Sequence, residues 1–309
     1  MKIYVAGHRG LVGSAIVRAI EAEGKHNWIG RTRTELDLLD RKAVFEFLAK
    51  EKPDAVVIAA AKVGGIHANN TFPVEFLTEN LQIEANLMDG AHAAKIERLL
   101  FLGSSCVYPK LAQQPIKEEY LLTGELEKSN EAYALAKISG LKLVQAYRKQ
   151  YGQKWISAMP TNMYGPGDNF DPENSHVLPA LIRKLHDAKT LGNTSVTLWG
   201  TGTPRREFMH SDDLGRACVF LLENYDDDVA INVGVGEDIP INELMELVKQ
   251  VVGFEGEIQW DSSQPDGTPR KLLDVTRMEV LGWKAQINLE EGIRKTYQWY
   301  IENSSTEGR

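Results

Sequence analysis

Three glycines, Gly7, Gly10 and Gly13, lie between the apolar run IYVA and a helix-like pattern at the start of the chain. In a strand, turn and helix unit, such glycines let the backbone approach a pyrophosphate, and the helix N-terminus attracts its charge. The spacing is GxxGxxG rather than GxGxxG. We therefore expect a dinucleotide-binding turn, which needs a parallel α/β sheet behind it; a purely structural turn is the alternative.

Short apolar runs alternate with helix-like patterns over the first two thirds of the chain, which favours an α/β fold with a Rossmann-type doubly wound parallel sheet. After Pro160, a stretch rich in Pro, Gly, Asn and Asp predicts a long loop. We expect an NADP-binding domain over residues 1–165, with a return around 211–234, and a smaller α/β substrate lobe over 166–309. The predicted strands are Lys2–Ala6, His26–Gly30, Ala55–Ala60, Leu99–Ser104, Trp155–Met159, Val196–Trp199, Ala230–Val233 and Glu257–Trp260.

The end of the second predicted strand, WIGRTRTELDLLD, carries arginines where a site selective for NAD would carry an acid. Arg31 and Arg33, with Arg9 from the glycine turn, offer guanidinium groups that suit a 2′-phosphate. This pattern predicts NADP(H) rather than NAD(H); solvated surface arginines are the alternative. Asp37 follows, either to contact adenine or to cap a helix near Asp40.

Tyr133 and Lys137 lie four residues apart in NEAYALAK, so a helix would place both on one face. An ammonium group beside a phenol should lower the pKa of Tyr133 and make it a usable proton donor or acceptor. The segment LGSSCVYPK follows a predicted strand, at the sheet edge where α/β proteins build their sites. We expect Ser104 or Ser105 to hydrogen-bond a substrate carbonyl there.

The glycine turn, the serine at the strand end, the YxxxK pair and NMYGP at Asn162–Pro166 together resemble the extended short-chain dehydrogenase/reductase family. The resemblance covers nearly the whole chain and implies a second lobe that binds a nucleotide sugar. The further cofactor contacts that it implies are Asp37, Leu38, Leu102, Gly103, Lys137, Pro160, Asn162 and His176.

Dehydratases of this family carry Asp-Glu directly after the catalytic hydroxyl, whereas this chain has Ser105 and Cys106. We therefore expect an epimerase pair, with Cys106 as the base that removes a proton next to a ketone and His176 as the opposed acid. Ser104, Tyr133 and Lys137 complete the expected catalytic set. The alternatives are an apolar, packed cysteine and a locally bonded loop histidine.

Six separated blocks, from AAAKVGGIHANNT to PDGTPRKLLDVTR, narrow the resemblance to family members that act on GDP-4-keto-6-deoxy-D-mannose. They imply epimerisation at C3 and C5 and then reduction at C4 with NADPH. Two alternatives stay open: a 4-epimerase or reductase of another nucleotide sugar, and a non-catalytic NADP-sensing protein. The substrate contacts implied are Lys184, where the family often has Arg, and Trp199, Arg206, Asp266 and Lys271; each is otherwise structural or solvated.

Charge and cysteine usage limit the partners and the compartment. A net charge of −8 repels a phosphate backbone, which argues against nucleic acid as a partner. The apolar runs are strand-length, so we expect no membrane span. Cys106 and Cys218 are too few for a disulfide framework and wrongly spaced for a metal cluster, which predicts a reducing cytoplasm and no metal. The resemblance implies a homodimer that pairs through helices around Phe76–Ala94 and Asn130–Tyr151.

Overall fold

Strands and helices alternate through the computed structural model, which describes residues 1–171, 175–263 and 266–304. The strands, numbered in chain order, are β1 (Lys2–Ala6), β2 (Asn27–Ile29), β3 (Ala55–Ile58), β4 (Arg98–Leu102), β5 (Lys154–Pro160), β6 (Asn162–Tyr164), β7 (Ser195–Trp199), β8 (Arg205–Arg206), β9 (Phe208–His210), β10 (Ile231–Val233), β11 (Ile239–Pro240), β12 (Glu257–Asp261) and β13 (Arg270–Lys271). The helices are α1 (Leu11–Glu23), α2 (Arg41–Glu51), α3 (Ile66–Thr71), α4 (Pro73–Ala93), α5 (Glu131–Tyr151), α6 (Val177–Leu191), α7 (Ser211–Asn224), α8 (Ile241–Val252), α9 (Thr276–Val280) and α10 (Leu289–Ser304). Single turns of 3-10 helix lie at Ser105–Val107, Glu118–Tyr120 and Lys128–Asn130.

Six strands form one parallel sheet in the order β2-β1-β3-β4-β5-β10, which confirms the Rossmann-type doubly wound prediction. The chain adds β2 on one side of β1 and then crosses over to add β3 on the other side, so the strand order reverses between β1 and β3. These two strands pair with Ala6 opposite Ile58. In doubly wound sheets, ligands bind in the crevice beyond the carboxyl ends of the strands at such a point. The strand predictions ran two residues too far at Ala60 and at Ser104, because the chain leaves the sheet after Ile58 and Leu102 to form loops at this edge.

Helices cover both faces of the sheet, and this explains why its strands are apolar throughout rather than alternating. Successive residues of β1 therefore point into different cores. Ile3 and Val5 pack in the core beneath α1 and α7, whereas Tyr4 packs in the core beneath α2, α4 and α5. Burial on both faces fixes the sheet as a rigid platform for the loops at its carboxyl edge.

The C-terminal part of the chain builds a separate apolar core among α6, α8 and α10. Around it lie a two-stranded sheet of β7 and β12, a pair formed by β6 and β9, and a three-stranded sheet in the order β11-β8-β13. Between these elements the chain returns to the large sheet through α7 and β10. The boundary near residue 165 stays a prediction, because the two parts interleave.

The stretch after Pro160, expected as one long loop, contains the short strand β6 paired in parallel with β9. Residues Pro172–Asn174 of that predicted loop lie outside the described residues. In the described part of the chain, no helix has both the length and the apolar character needed to cross a bilayer.

Candidate active site

The glycine turn has a shape that only glycine accommodates. Gly7 has a φ of +86°, and a Cβ there would lie 2.7 Å from the amide nitrogen of Ala60. A Cβ on Gly13 would lie 2.0 Å from the carbonyl oxygen of Gly7, so the helix could not approach the strand. Helix α1 starts after Gly10 without a side-chain cap or an acid in its first turn, which leaves its first N–H groups free for an anion. The turn therefore fits the pyrophosphate of a dinucleotide.

Arginines gather at the end of β2, beside this turn. Arg31 is held by the carbonyl oxygen of Gly30 at 2.8 Å, and by Glu51 at 3.1 Å. Arg9 and Arg33 are exposed, and neither has a hydrogen bond or ion pair among the described residues. The pKa of His8 is lowered by burial first and then by the charges of Arg9 and Arg31, so both cations act at one place. This positive group fits a 2′-phosphate, with Arg9 and Arg33 free to bind it.

Asp37 does not cap the following helix, so that alternative is wrong. Its Oδ1 accepts a hydrogen bond from the amide of Leu39 at 3.1 Å, and Asp40 caps α2 through the amide of Ala43. The exposed Asp37 is therefore left with the adenine contact as its predicted role. Beside it, the half-buried Leu38 has its carbonyl oxygen bound by Asn86 at 2.9 Å.

The remaining predicted cofactor contacts follow the neighbouring strands. Leu102 and Gly103 are buried at the end of β4, and the amide of Gly103 donates to the carbonyl of Ala158 at 2.8 Å. Pro160 ends β5, and Asn162 donates its side-chain amide to the carbonyl of Glu207 at 2.8 Å. These residues all lie at or just beyond the carboxyl edge of the sheet.

Ser104 caps the short turn that carries Cys106, because its hydroxyl accepts a hydrogen bond from the Cys106 amide at 3.2 Å. Ser105 is buried, so the accessible serine is Ser104. The half-buried thiol of Cys106 has two nitrogen neighbours, Nδ2 of Asn130 at 3.2 Å and Nζ of Lys271 at 3.8 Å. Amide and ammonium donors both stabilise negative charge on sulfur. The turn thus presents a thiol with an amide and an ammonium donor against its sulfur.

The expected effect of Lys137 on Tyr133 is wrong. The pKa of Tyr133 is raised, mainly by burial and then by the charges of Cys106 and Glu84, while a hydrogen bond with Ser104 lowers it. Lys137 does not counteract this rise, because its Nζ is paired with Oε1 of Glu84 at 3.2 Å. Tyr133 is therefore held in its protonated form, beside the hydroxyl of Ser104.

His176 immediately precedes α6, in extended backbone with φ −74° and ψ 167°. The residue is exposed to solvent, yet the protein atoms around its imidazole lower the pKa of that group by burial. The hydrogen bonds of the described residues include none to its imidazole, so both ring nitrogens are available to a ligand. No described contact joins His176 to Cys106, and their opposition across a sugar stays a prediction.

The predicted substrate residues fall into two groups, and the first lies at the thiol. Lys271 and Arg206 are paired across β13 and β8. Burial lowers the pKa of Arg206, whereas the charges of Asp266 and Cys106 raise it, so the guanidinium is near enough to the thiol for the two groups to interact. Both cations come from the C-terminal part of the chain, whereas Cys106 follows a strand of the large sheet.

The second group lies around β7. Lys184 donates from Nζ to the carbonyl of Thr197 at 3.3 Å, and Trp199 is 74% exposed at the strand end. Asp266 accepts hydrogen bonds from the amide of Thr201 at 2.7 Å and from its hydroxyl at 2.8 Å. The exposed Trp199 ring suits a nucleotide base. The nearby lysine and carboxylate suit the charged and polar groups attached to that base.

Two residues of the site were not predicted from the sequence. Glu84 lies on the buried face of α4 at helical spacing from Phe76 and Asn80, and a charged residue on such a face is a signal that could have been used. Asn130 precedes α5 and carries no comparable signal, because only the fold brings it to Cys106.

Comparisons with known proteins identify similar chains. The model of the NAD dependent epimerase/dehydratase family matches residues 3–234. Over 302 residues, covering 98% of this chain and 94% of the other, the sequence is 56% identical to GDP-L-fucose synthase 1 of Arabidopsis thaliana. It is 52% identical to GDP-L-fucose synthase of Escherichia coli (strain K12), over 98% of this chain and 97% of that protein. A solved structure of a GDP-L-fucose synthetase from Naegleria fowleri bound to NADP matches with a TM-score of 0.91 and 29% identity, covering 99% of this chain and 95% of that chain.

Proposed function

Since the chain belongs to the NAD dependent epimerase/dehydratase family, we propose that it converts GDP-4-keto-6-deoxy-D-mannose to GDP-L-fucose with NADPH. One observation carries the proposal. Cys106, with Asn130 and Lys271 against its sulfur, follows Ser104, whose hydroxyl acts on the phenol of Tyr133 and lowers its pKa. A base and two hydroxyl donors at one place suit proton removal next to a ketone, followed by reduction of that ketone.

The cofactor site accounts for the choice of NADPH. The first turn of α1 and the glycines at positions 7, 10 and 13 would hold the pyrophosphate, and Arg9 and Arg33 would hold the 2′-phosphate. Lys137 would hydrogen-bond the nicotinamide ribose. NADPH, when bound, supplies the hydride for C4 of the sugar.

Epimerisation uses the thiol as a base. The Cys106 thiolate takes the proton from C3 and, in a second event, from C5, and the electron pair of each C–H bond moves into the C4 carbonyl. The hydroxyls of Ser104 and Tyr133 donate hydrogen bonds to the resulting enolate oxygen. His176 returns a proton to the opposite face of each carbon, and both side chains then recover their starting protonation from solvent.

Reduction uses the phenol as an acid. Tyr133 gives its proton to the oxygen on C4 while that carbon is reduced. The raised pKa of Tyr133 suits this step, because the hydroxyl stays protonated until the oxygen becomes basic. Lys184, Trp199, Arg206 and Asp266 are the residues that would hold the GDP-sugar.

The test is turnover in heavy water with NADPH and GDP-4-keto-6-deoxy-D-mannose, followed by mass spectrometry of the product. The expected result is deuterium at both C3 and C5 and one NADPH oxidised per sugar. Reduction without deuterium at these carbons would instead favour a reductase of another nucleotide sugar. Tight NADPH binding with no oxidation would favour a sensing protein.

We also infer a homodimer and a cytoplasmic location. Helices α4 and α5 pack together, and His92 of α4 stacks against Tyr151 of α5 with ring centroids 4.3 Å apart. The ring of Tyr151 remains largely exposed, which supports a partner on this surface. Both cysteines are free thiols, which supports a reducing compartment. Light scattering coupled to size-exclusion chromatography tests the dimer.

A further inference from the structure

Glu84 and Lys137 form a buried ion pair behind the active site. Their side chains are 2% and 3% exposed, and Oε1 and Nζ are 3.2 Å apart. A buried ion pair is often less favourable than packed apolar residues of the same size, so it needs a reason other than stability. Burial raises the pKa of Glu84, and the charge of Lys137 opposes that rise.

The surrounding residues shape a socket for this pair. Gly140 lies one turn beyond Lys137 on α5, and a Cβ there would be 2.7 Å from Oε2 of Glu84 and 2.4 Å from Cζ of Phe101. Nζ of Lys137 lies 4.7 Å from the centroid of the Phe101 ring. Within the described part of the chain, neither oxygen of Glu84 accepts a hydrogen bond of good geometry. The charge of Lys137 is therefore the main interaction that offsets the cost of burying the Glu84 carboxylate.

Tyr133 lies one helical turn before Lys137 on α5, so the Glu84–Lys137 pair can affect the pKa of its hydroxyl. The charged groups that act on its hydroxyl come from two elements, Cys106 from the turn after β4 and Glu84 from α4. The ring of Phe76 packs edge-on against Tyr133 with centroids 6.3 Å apart, which keeps water from that side. Lys137, which would otherwise favour the phenolate, is neutralised by Glu84.

We propose that Glu84 is a positioning residue that fixes Lys137 behind Tyr133, the group that gives its proton to the oxygen on C4. This inference rests on the proposed function. When the proton leaves Tyr133 for the sugar oxygen, the negative charge of Glu84 favours recovery of a proton from solvent.

The first experiment follows Tyr133 in the cofactor-free protein. The carbon-13 resonance of its ring carbon Cζ is assigned by its absence from Tyr133→Phe and then followed against pH. In Glu84→Gln, Tyr133 should ionise about one pH unit lower than in the wild type, because a negative charge is removed and Lys137 is left uncompensated. Glu97→Gln is the matched control, since Glu97 forms an exposed pair with Lys154 at 2.9 Å, next to the opposite ends of the strands.

The second experiment measures NADPH oxidation with the keto sugar across pH. The alkaline limb of the rate should move to lower pH in Glu84→Gln and stay in place in Glu97→Gln. Glu84→Asp keeps the negative charge but places it farther from Lys137, so the alkaline limb of its rate should lie between those of Glu84→Gln and Glu97→Gln. Glu84→Asp also replaces Glu84→Gln if Glu84→Gln does not fold. Unmoved Tyr133 ionisation and an unmoved limb in a folded Glu84 variant would overturn the inference. A wild type that never oxidises NADPH would overturn the proposed function instead, and the resonance experiment would still decide the effect of Glu84 on Tyr133.

Discussion

The side-chain amide of Asn130 donates to the sulfur of Cys106, with Nδ2 and Sγ 3.2 Å apart. Asn130 lies 24 residues beyond Cys106, in the 3-10 turn that leads into α5. The helix that carries Tyr133 and Lys137 thus begins at the group that contacts the thiol. One rigid element therefore carries both the group that contacts Cys106, the proposed base, and Tyr133, the proposed acid.

Asn130→Asp should slow deuterium entry at C3 and C5 by roughly tenfold or more, because a carboxylate replaces a donor beside the sulfur and disfavours the thiolate. NADPH affinity should be unchanged. Mass spectrometry of the product in heavy water measures the exchange. Asn224→Asp is the control, since Asn224 caps the exposed end of α7 by donating to the carbonyl of Phe220. An exchange rate equal to that of the control would remove Asn130 from the mechanism.

Lys271→Met should slow alkylation of Cys106 by iodoacetamide roughly threefold to tenfold in the absence of any sugar nucleotide. Nζ of Lys271 lies 3.8 Å from the sulfur, so the variant removes a positive charge beside the nucleophile. Cys218 is fully buried at 0% exposure, so labelling reports on Cys106. Lys284→Met, which removes an exposed partner of Glu279, is the control. If Lys271 served only to bind substrate, the labelling rate would not change.

Cys106→Ser and Tyr133→Phe should separate the two reactions. Cys106→Ser should reduce exchange at C3 and C5 by roughly a hundredfold or more, while NADPH affinity stays near that of the wild type. Tyr133→Phe should reduce hydride transfer to C4 by a similar factor, because the proton donor is gone. Proton exchange at the parental rate in Cys106→Ser would show that another group is the base.

Arg9→Ala and Arg33→Ala should each weaken NADPH binding by roughly tenfold and leave NADH binding nearly unchanged, since each removes a charged donor to the 2′-phosphate. Fluorescence titration with both cofactors measures the difference. Arg294→Ala is a control for loss of an exposed arginine, here one paired with Glu290. Equal loss of both cofactors would contradict the assignment of the 2′-phosphate site.

Asp168 should make the folded protein less stable as pH rises. Burial raises the pKa of Asp168 to about 7 from 3.8, with Oδ2 buried and unpartnered. Between these values the folded protein holds more protons than the unfolded chain, so the free energy of unfolding falls as pH rises through that window. Asp168→Asn keeps the acceptor for the amide of Asn169 and removes the charge.

This variant should be more stable than the wild type by about 1–3 kcal/mol above the window, a value discounted for partial exposure. Urea unfolding at roughly pH 4 and pH 8 measures the difference. The gain should vanish at the lower end of the window. A gain that is equal at both values would show that the carboxylate charge is not its cause.

Sequence predicts the parts of the site that one short segment builds. The glycine turn and the helical spacing of Tyr133 and Lys137 depend on neighbours within a few residues, so both are read directly from local pattern. The carboxyl edge of the sheet is predictable for the same reason, since each strand is a continuous apolar run that ends at a polar segment.

The electrostatics of the site could not be predicted in this way. The pKa of Tyr133 is raised mainly by burial and then by the charges of Cys106 in another loop and of Glu84 in α4, so the lowering expected from Lys137 alone does not occur. Lys271 reaches the thiol from 165 residues along the chain. Such contacts follow from the packing of distant elements, and no spacing within the sequence encodes them.

Because β10 enters the large sheet only after the chain has built β7, neither half of the molecule is one uninterrupted stretch of sequence. A single crossover between two related genes therefore cannot exchange one half intact. Exchange of a contiguous segment would disrupt both halves, whereas substitution of individual side chains leaves this interleaved scaffold intact.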